Sequence, residues 1–269
     1  MQRIVLAPDN LDARNREFVQ AKLETGLFLN SVPKSGSHLL RNIVRMFVPV
    51  EQQYQADFIQ YATLKNHLAA FDGPPPKLSW GHLFFSDISA ITTSSSRKIL
   101  LVRDPYDWVL AKARFMLSDE FSGELDILKS DAISPADLIN IVIFGLPRKN
   151  PSLYDTFTHN AVAWLSTGVY LVRFEDLRHA MADLDSAGSE VFFTQLLDAC
   201  GIAMPGDWRE RVRIGADPAN SGTARQNLSG NLARLPATLT TQQRALVDYA
   251  APGLRALLGY GRTEEKITA

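Results

Sequence analysis

The segment from Leu27 to Phe47 constrains the fold more than any other. It opens with LFLNSV, a short and nearly continuous apolar run. It passes through Pro33-Lys34-Ser35-Gly36-Ser37 and enters a pattern with Leu39, Leu40, Ile43, Val44 and Phe47 on one helical face. A run of that kind suits a strand buried on both faces of a parallel sheet. LSWGHLFF (78–85), KILLV (98–102) and GVYLVRF (168–174) repeat the theme, each followed by turn-forming residues and a helical pattern. Strands alternating with helices predict an α/β fold, a three-layer sandwich with a central parallel sheet flanked by helices and right-handed crossovers.

Helices are predicted over 37–47, 51–71, 106–117, 135–144, 153–165, 190–199 and 241–258. The second ends at the Gly73-Pro74-Pro75-Pro76 breaker. Residues 119–134 are the least regular internal segment. The chain reads as one domain over 1–269, with about 119–150 as a lid on the acceptor side. Its 269 residues are enough to bury a core without staples.

Composition removes whole classes of function. Lys and Arg number 28 against 29 Asp and Glu, so a protein that coats nucleic acid or an anionic membrane is disfavoured. A small basic pocket is still allowed. The single cysteine, Cys200, rules out an internal disulfide and a multi-thiolate zinc site, and its place in FFTQLLDACG reads as a buried core thiol. No stretch approaches the roughly 20 apolar residues of a membrane span. The start, MQRIVLAPDNLDARNREF, has no adequate apolar region for a secretory signal, so the expected compartment is the cytoplasm.

The turn after the first strand has the parts of an anion site. N–H groups at a helix start point outward and favour negative charge. Gly36 lets the backbone come close, Lys34 adds a mobile charge, and Ser35 and Ser37 add hydroxyl donors. The string GxxxxGK[ST] is absent, which disfavours an ordinary P-loop kinase or ATPase.

SVPKSGSHLL, VRDPYD (102–107), VRFEDL (172–177) and Arg225-Gln226-Asn227-Leu228-Ser229-Gly230 occur in an order that resembles the sulfotransferases that use 3′-phosphoadenosine 5′-phosphosulfate, PAPS. The resemblance implies a P-loop-like fold and a donor site. In it Lys34, Ser35, Gly36 and Ser37 hold the 5′-phosphosulfate, and His38, at a family threonine position, is a phosphate contact or a helix-start residue. Arg103, with Arg225, Gln226 and Asn227, holds the 3′-phosphate, and Phe174 packs near the adenine. Gly81-His82-Leu83-Phe84 occupies the place of the family's base string, which implies His82 as the general base and Lys34 as the cation at the leaving phosphate. Leu39, Ala111, Gln226, Asn227 and Leu232 depart from the family's tryptophan, serine, lysine, glycine and tryptophan, and Phe84 from the final proline of its base string.

The same placement follows from topology. A donor with phosphate at two ends needs two anion sites, and residues that follow different parallel strands meet at one carboxyl edge. The expected reaction moves a sulfuryl group to a hydroxyl or amine of a small-molecule, lipid or glycan acceptor, with no metal required. Acceptor contacts are expected from 52–71 and 119–148. The chain has no transmembrane segment and no nucleic-acid partner in this reading, and a homodimer is compatible with it. An atypical nucleotide-dependent kinase and a catalytically weak nucleotide-binding scaffold are the rival readings. The arginines between 209 and 234 read as a solvated surface except for Arg225, and His67, His159 and His179 read as structural or exposed.

Overall fold

The computed structural model describes residues 9–55, 58–118, 121, 125–130, 132–220 and 235–261. These form two compact units. The first comprises residues 1–103 and 159–227, and the second 104–158 and 228–269.

The first unit is built on a five-stranded sheet. Its strands are β1 (Leu27–Ser31), β2 (Ile59–Gln60), β3 (Leu78–His82), β4 (Arg97–Val102) and β5 (Val169–Arg173), in the order β2-β3-β1-β4-β5. Every pairing is parallel. All five residues of β1 are buried, as a central parallel strand requires. From β1 the chain builds outward both ways, with β2 and β3 on one side and β4 and β5 on the other. The carboxyl end of β1 is therefore the point where strand order reverses, where such sheets bind ligands.

The helices are α1 (Leu11–Asn15), α2 (Ser37–Arg45), α3 (Asp87–Thr92), α4 (Pro105–Met116), α5 (Pro135–Phe144), α6 (Leu153–Asn160), α7 (Phe174–Ala182), α8 (Ala187–Cys200), α9 (Trp208–Ala216), α10 (Thr241–Ala250) and α11 (Leu254–Leu257). On one sheet face Leu27, Leu29, Leu78, Trp80, Ile99 and Leu101 pack with Leu40, Ile43 and Val44 of α2, Phe193 and Leu197 of α8, and Trp208 and Val212 of α9. Cys200 lies in this core, and burial pushes its thiol up to about 12. In the second unit Asp104 caps α4 through the Tyr106 N–H and takes both Nε and Nη2 of Arg255, at 3.1 and 2.8 Å.

Three expectations are corrected. Residues 51–71 are not one helix: they hold a short 3-10 turn (Val50–Gln52), β2, and a 3-10 stretch (Tyr61–Ala70) kinked at His67. Tertiary pairing overrides the local pattern. Gln52 exchanges hydrogen bonds with the Leu23 main chain, Gln53 bridges to Leu78, and Ile59 pairs with Gly81. Gly81 permits that last approach, because a Cβ there would lie 2.0 Å from the Ile59 carbonyl oxygen. The predicted tail helix breaks at Pro252-Gly253, where Gly253 has φ 74°. Arg211, predicted to be solvated, is buried in α9, where it bonds Asp207 twice and the carbonyls of Val19 and Met46. His67 also has a partner, the Tyr54 hydroxyl at 3.1 Å.

Helix α2, which carries the anion loop, is seated on α9 at Gly215. A Cβ on Gly215 would lie 2.6 Å from Asn42 O and 2.7 Å from Ile43 Cα, both backbone atoms. Gly215→Ala is expected to destabilise the protein by about 1–3 kcal/mol through overpacking, read as a lower urea midpoint at unchanged slope. An unchanged midpoint would show that α2 and α9 separate freely.

Candidate active site

The loop between β1 and α2 is shaped by two left-handed residues, Lys34 at φ 68° and Gly36 at φ 94°. A lysine in that region is strained, and strain of this kind concentrates at binding sites. Gly36 is needed for a second reason. A Cβ there would fall 2.5 Å from Cδ2 and Cε2 of Phe174. The first helical bond of α2 runs from Leu40 N–H to Gly36 O, so the preceding N–H groups sit at the open end of the helix. Ser35 is fully buried, and its Oγ has no hydrogen-bond partner among the described residues. Left without a partner, such a hydroxyl costs about 1–3 kcal/mol, which a bound anion would offset.

His82 ends β3 on the same sheet face as Trp80. Register places it opposite Ser31, one step past the Asn30–Gly81 pair. The side chains meet: His82 Nδ1 is 3.0 Å from Ser31 Oγ and 3.0 Å from Ser31 O. A carbonyl oxygen only accepts, so Nδ1 carries the proton and the ring's lone pair lies on Nε2. Ser31 Oγ is also 2.8 Å from Ser37 Oγ, the first residue of α2. A chain of hydrogen bonds thus runs from the anion loop to the imidazole, Ser37 to Ser31 to His82.

Arg103 follows β4 at the same edge. Its guanidinium lies 4.7 Å from the centre of the Phe174 ring, and that ring touches Gly36. Phe174, the first residue of α7, therefore contacts both the loop and the second cation.

His38 sits in the first turn of α2, edge-on to Trp80 with ring centres 4.9 Å apart. Its pKa is pushed down to about 3, first by burial and then by the nearby charges of Arg41, His82 and Lys34. It is therefore a neutral ring at working pH. Arg41 lies 4.9 Å over Trp80, and burial, followed by repulsion from Arg45, lowers its pKa to about 10. Phe58 adds to the wall, 5.4 Å from His82 and 5.6 Å from Trp80.

Eight of the residues expected at the site, Lys34, Ser35, Gly36, Ser37, His38, His82, Arg103 and Phe174, thus cluster at one sheet edge. Arg225, Gln226 and Asn227 lie outside the described residues. Ser31 and Arg41 were not anticipated. The signal for Ser31 was its position, two residues after Leu29 on the face that leads to the loop. Among the described residues no cluster of His, Cys, Asp and Glu is arranged to hold a metal ion.

No family model matches this chain, and no curated protein matches it in sequence. Solved structures match it in fold. One is mouse sulfotransferase SULT7A1 complexed with PAP, at 16% identity and TM-score 0.55, covering 93% of this chain and 91% of that chain. Another is retinol dehydratase in complex with androsterone and inactive cofactor PAP, at 14% identity and TM-score 0.54, covering 87% of this chain and 80% of that chain. At such identities the likeness establishes the fold.

The state of His38 has a thermodynamic consequence. Unfolded, it binds a proton below about 6.5, and folded only below about 3. Between those values the unfolded state holds the extra proton, so stability is lost as pH falls through the window, by at most about 1.4 kcal/mol per unit. Urea unfolding at a series of pH values is expected to show the wild type losing stability relative to His38→Leu on acidification. A constant difference would place a protonated His38 in the folded protein.

Proposed function

We propose that this chain, which has the sulfotransferase fold, is a PAPS-dependent sulfotransferase acting on the hydroxyl of an acceptor with an apolar part. One observation carries the reading. A single sheet edge gathers an anion-shaped loop, an imidazole hydrogen-bonded to that loop through Ser31, and a second cation joined to it through Phe174. An anion loop and a second cation at one sheet edge, both in contact with Phe174, suit a nucleotide with phosphate at both ends of its ribose.

Sulfuryl transfer resembles phosphoryl transfer in its demands: positioning, in-line attack and stabilisation of charge on the leaving oxygen. Lys34 and the N–H groups opening α2 supply positive charge at the 5′-phosphate, the leaving group. His82 takes the acceptor's proton on Nε2. The acceptor oxygen gains the bond to sulfur as the sulfur–phosphate oxygen bond breaks. The Ser31 carbonyl holds the Nδ1 proton and steadies the imidazolium that forms. Arg103 holds the 3′-phosphate, which distinguishes this donor from ATP. Neutral His38 offers a ring N–H to the 5′ end without adding a titrating charge. Phe58, and the stacked Tyr61 and Phe84, whose ring centres are 6.5 Å apart, present an aromatic surface near His82 to the apolar part of the acceptor.

Calorimetric titration with PAP (3′-phosphoadenosine 5′-phosphate) and with ADP tests the reading. PAP is expected to bind at least about 10-fold tighter, and Arg103→Ala is expected to erase that preference. Preference for ADP would favour a kinase, and no binding of either would favour a scaffold. With PAPS and a panel of phenols and alcohols, His82→Ala is expected to lower turnover by about 10²–10⁴-fold while leaving the PAP affinity nearly intact. Retained turnover would remove His82 as the base.

A further inference from the structure

Asn30 is an oddity of β1. It is an amide side chain, 2% exposed, in the middle of the central strand, on the face opposite Ser31 and His82. Its two polar atoms meet the main chain of one residue. Nδ2 donates to Leu83 O at 3.2 Å, and Leu83 N–H donates to Oδ1 at 2.9 Å. Main-chain pairing of β1 with β3 ends at Asn30–Gly81. The Asn30 amide takes over there, acting as one more backbone unit of the ladder.

The same carbonyl takes a second bond. Trp164 Nε1 donates to Leu83 O at 2.9 Å, and this indole is 1% exposed. Leu83 itself is fully buried. The residue that follows His82 is thus held by three hydrogen bonds from two side chains, and all the participants are shielded from water. Hydrogen bonds of this kind are expensive to leave unmade.

We propose that Asn30 and Trp164 are positioning residues for His82, acting through the main chain of Leu83. The inference rests on the reading of His82 as the base. Ser31 grips the ring at Nδ1, and Asn30 and Trp164 grip the chain one residue further on. With both grips in place the ring has one orientation relative to the anion loop. With the second removed, the chain after Gly81 can shift by the fraction of an ångström that breaks the Nδ1 contacts with Ser31. Productive geometry tolerates little more than that.

The test uses histidine-labelled protein and two variants. Trp164→Phe removes the N–H donor and keeps most of the ring volume, and Asn30→Ala removes both amide bonds. The ring nitrogen shifts of His82, assigned with His82→Gln, report its tautomer, and calorimetry with PAP reports the donor site. In the wild type a single Nδ1–H tautomer is expected. In each variant the His82 signals are expected to move toward a tautomer mixture, with PAP affinity within about twofold of wild type. If Asn30→Ala does not fold, Trp164→Phe carries the test alone. Unchanged His82 signals in the folded variants would overturn the proposal. The reading on which it rests fails separately: His82→Ala would then retain turnover with PAPS, whatever the His82 spectra show.

Discussion

Strand β1 has parallel partners on both sides, and the rest of the site depends on that. The double pairing buries all five residues of β1 and fixes its carboxyl end where strand order reverses. The loops after β1, β3, β4 and β5 then open at one edge, and the register decides what they bring. Residues Leu27, Leu29 and Ser31 share a face with Leu78, Trp80 and His82, because successive side chains alternate. A slip of one residue in either pairing would carry Ser31 or His82 to the other face and break the hydrogen-bond chain to the loop.

Charge at this edge is handled by a few groups in small volumes. The whole chain is close to neutral, which excludes a broad attractive surface and leaves a local one. Burial keeps His38 neutral beside Lys34, Arg41 and His82, which spares the site one more cation when no anion is bound. Other arginines are spent on structure. Arg45 of α2 is tied to Asp9 and to Asp12 of α1, and Arg211 of α9 to Asp207 and to the carbonyls of Val19 and Met46. Removing the carboxylates would leave a buried guanidinium uncompensated, so these residues support the fold without touching the site.

How much was legible in the sequence differs between fold and site. The four long strands were readable because strands buried on both faces are apolar throughout, and LFLNSV and KILLV have no other easy interpretation. The meeting of the loop residues and Arg103 at one edge was readable because residues that follow neighbouring parallel strands meet there, and the roles expected of them came from the resemblance to the PAPS-using sulfotransferases. Residues 51–71 were not, because a two-residue edge strand has no period of its own. It exists through Gly81, which lets Ile59 approach. Ser31 and Asn30 were hidden for a related reason. Each is a small polar residue inside an apolar run, and its role appears only when the neighbouring strand is aligned beside it. Arg211 in α9 was misjudged because an arginine is ordinarily exposed, and its partners lie as far away in sequence as Val19 and Gln20.

The central claim is that this edge holds one ligand with two separated phosphates, one at the β1–α2 loop and one at Arg103. A crystal structure of the protein with PAP tests it most directly. The expected result is the 5′-phosphate within about 3.2 Å of Lys34 Nζ and the Ser37 hydroxyl, and the 3′-phosphate paired with the Arg103 guanidinium. A nucleotide bound away from the β1–α2 loop, or one whose 3′-phosphate makes no contact with Arg103, would contradict the account.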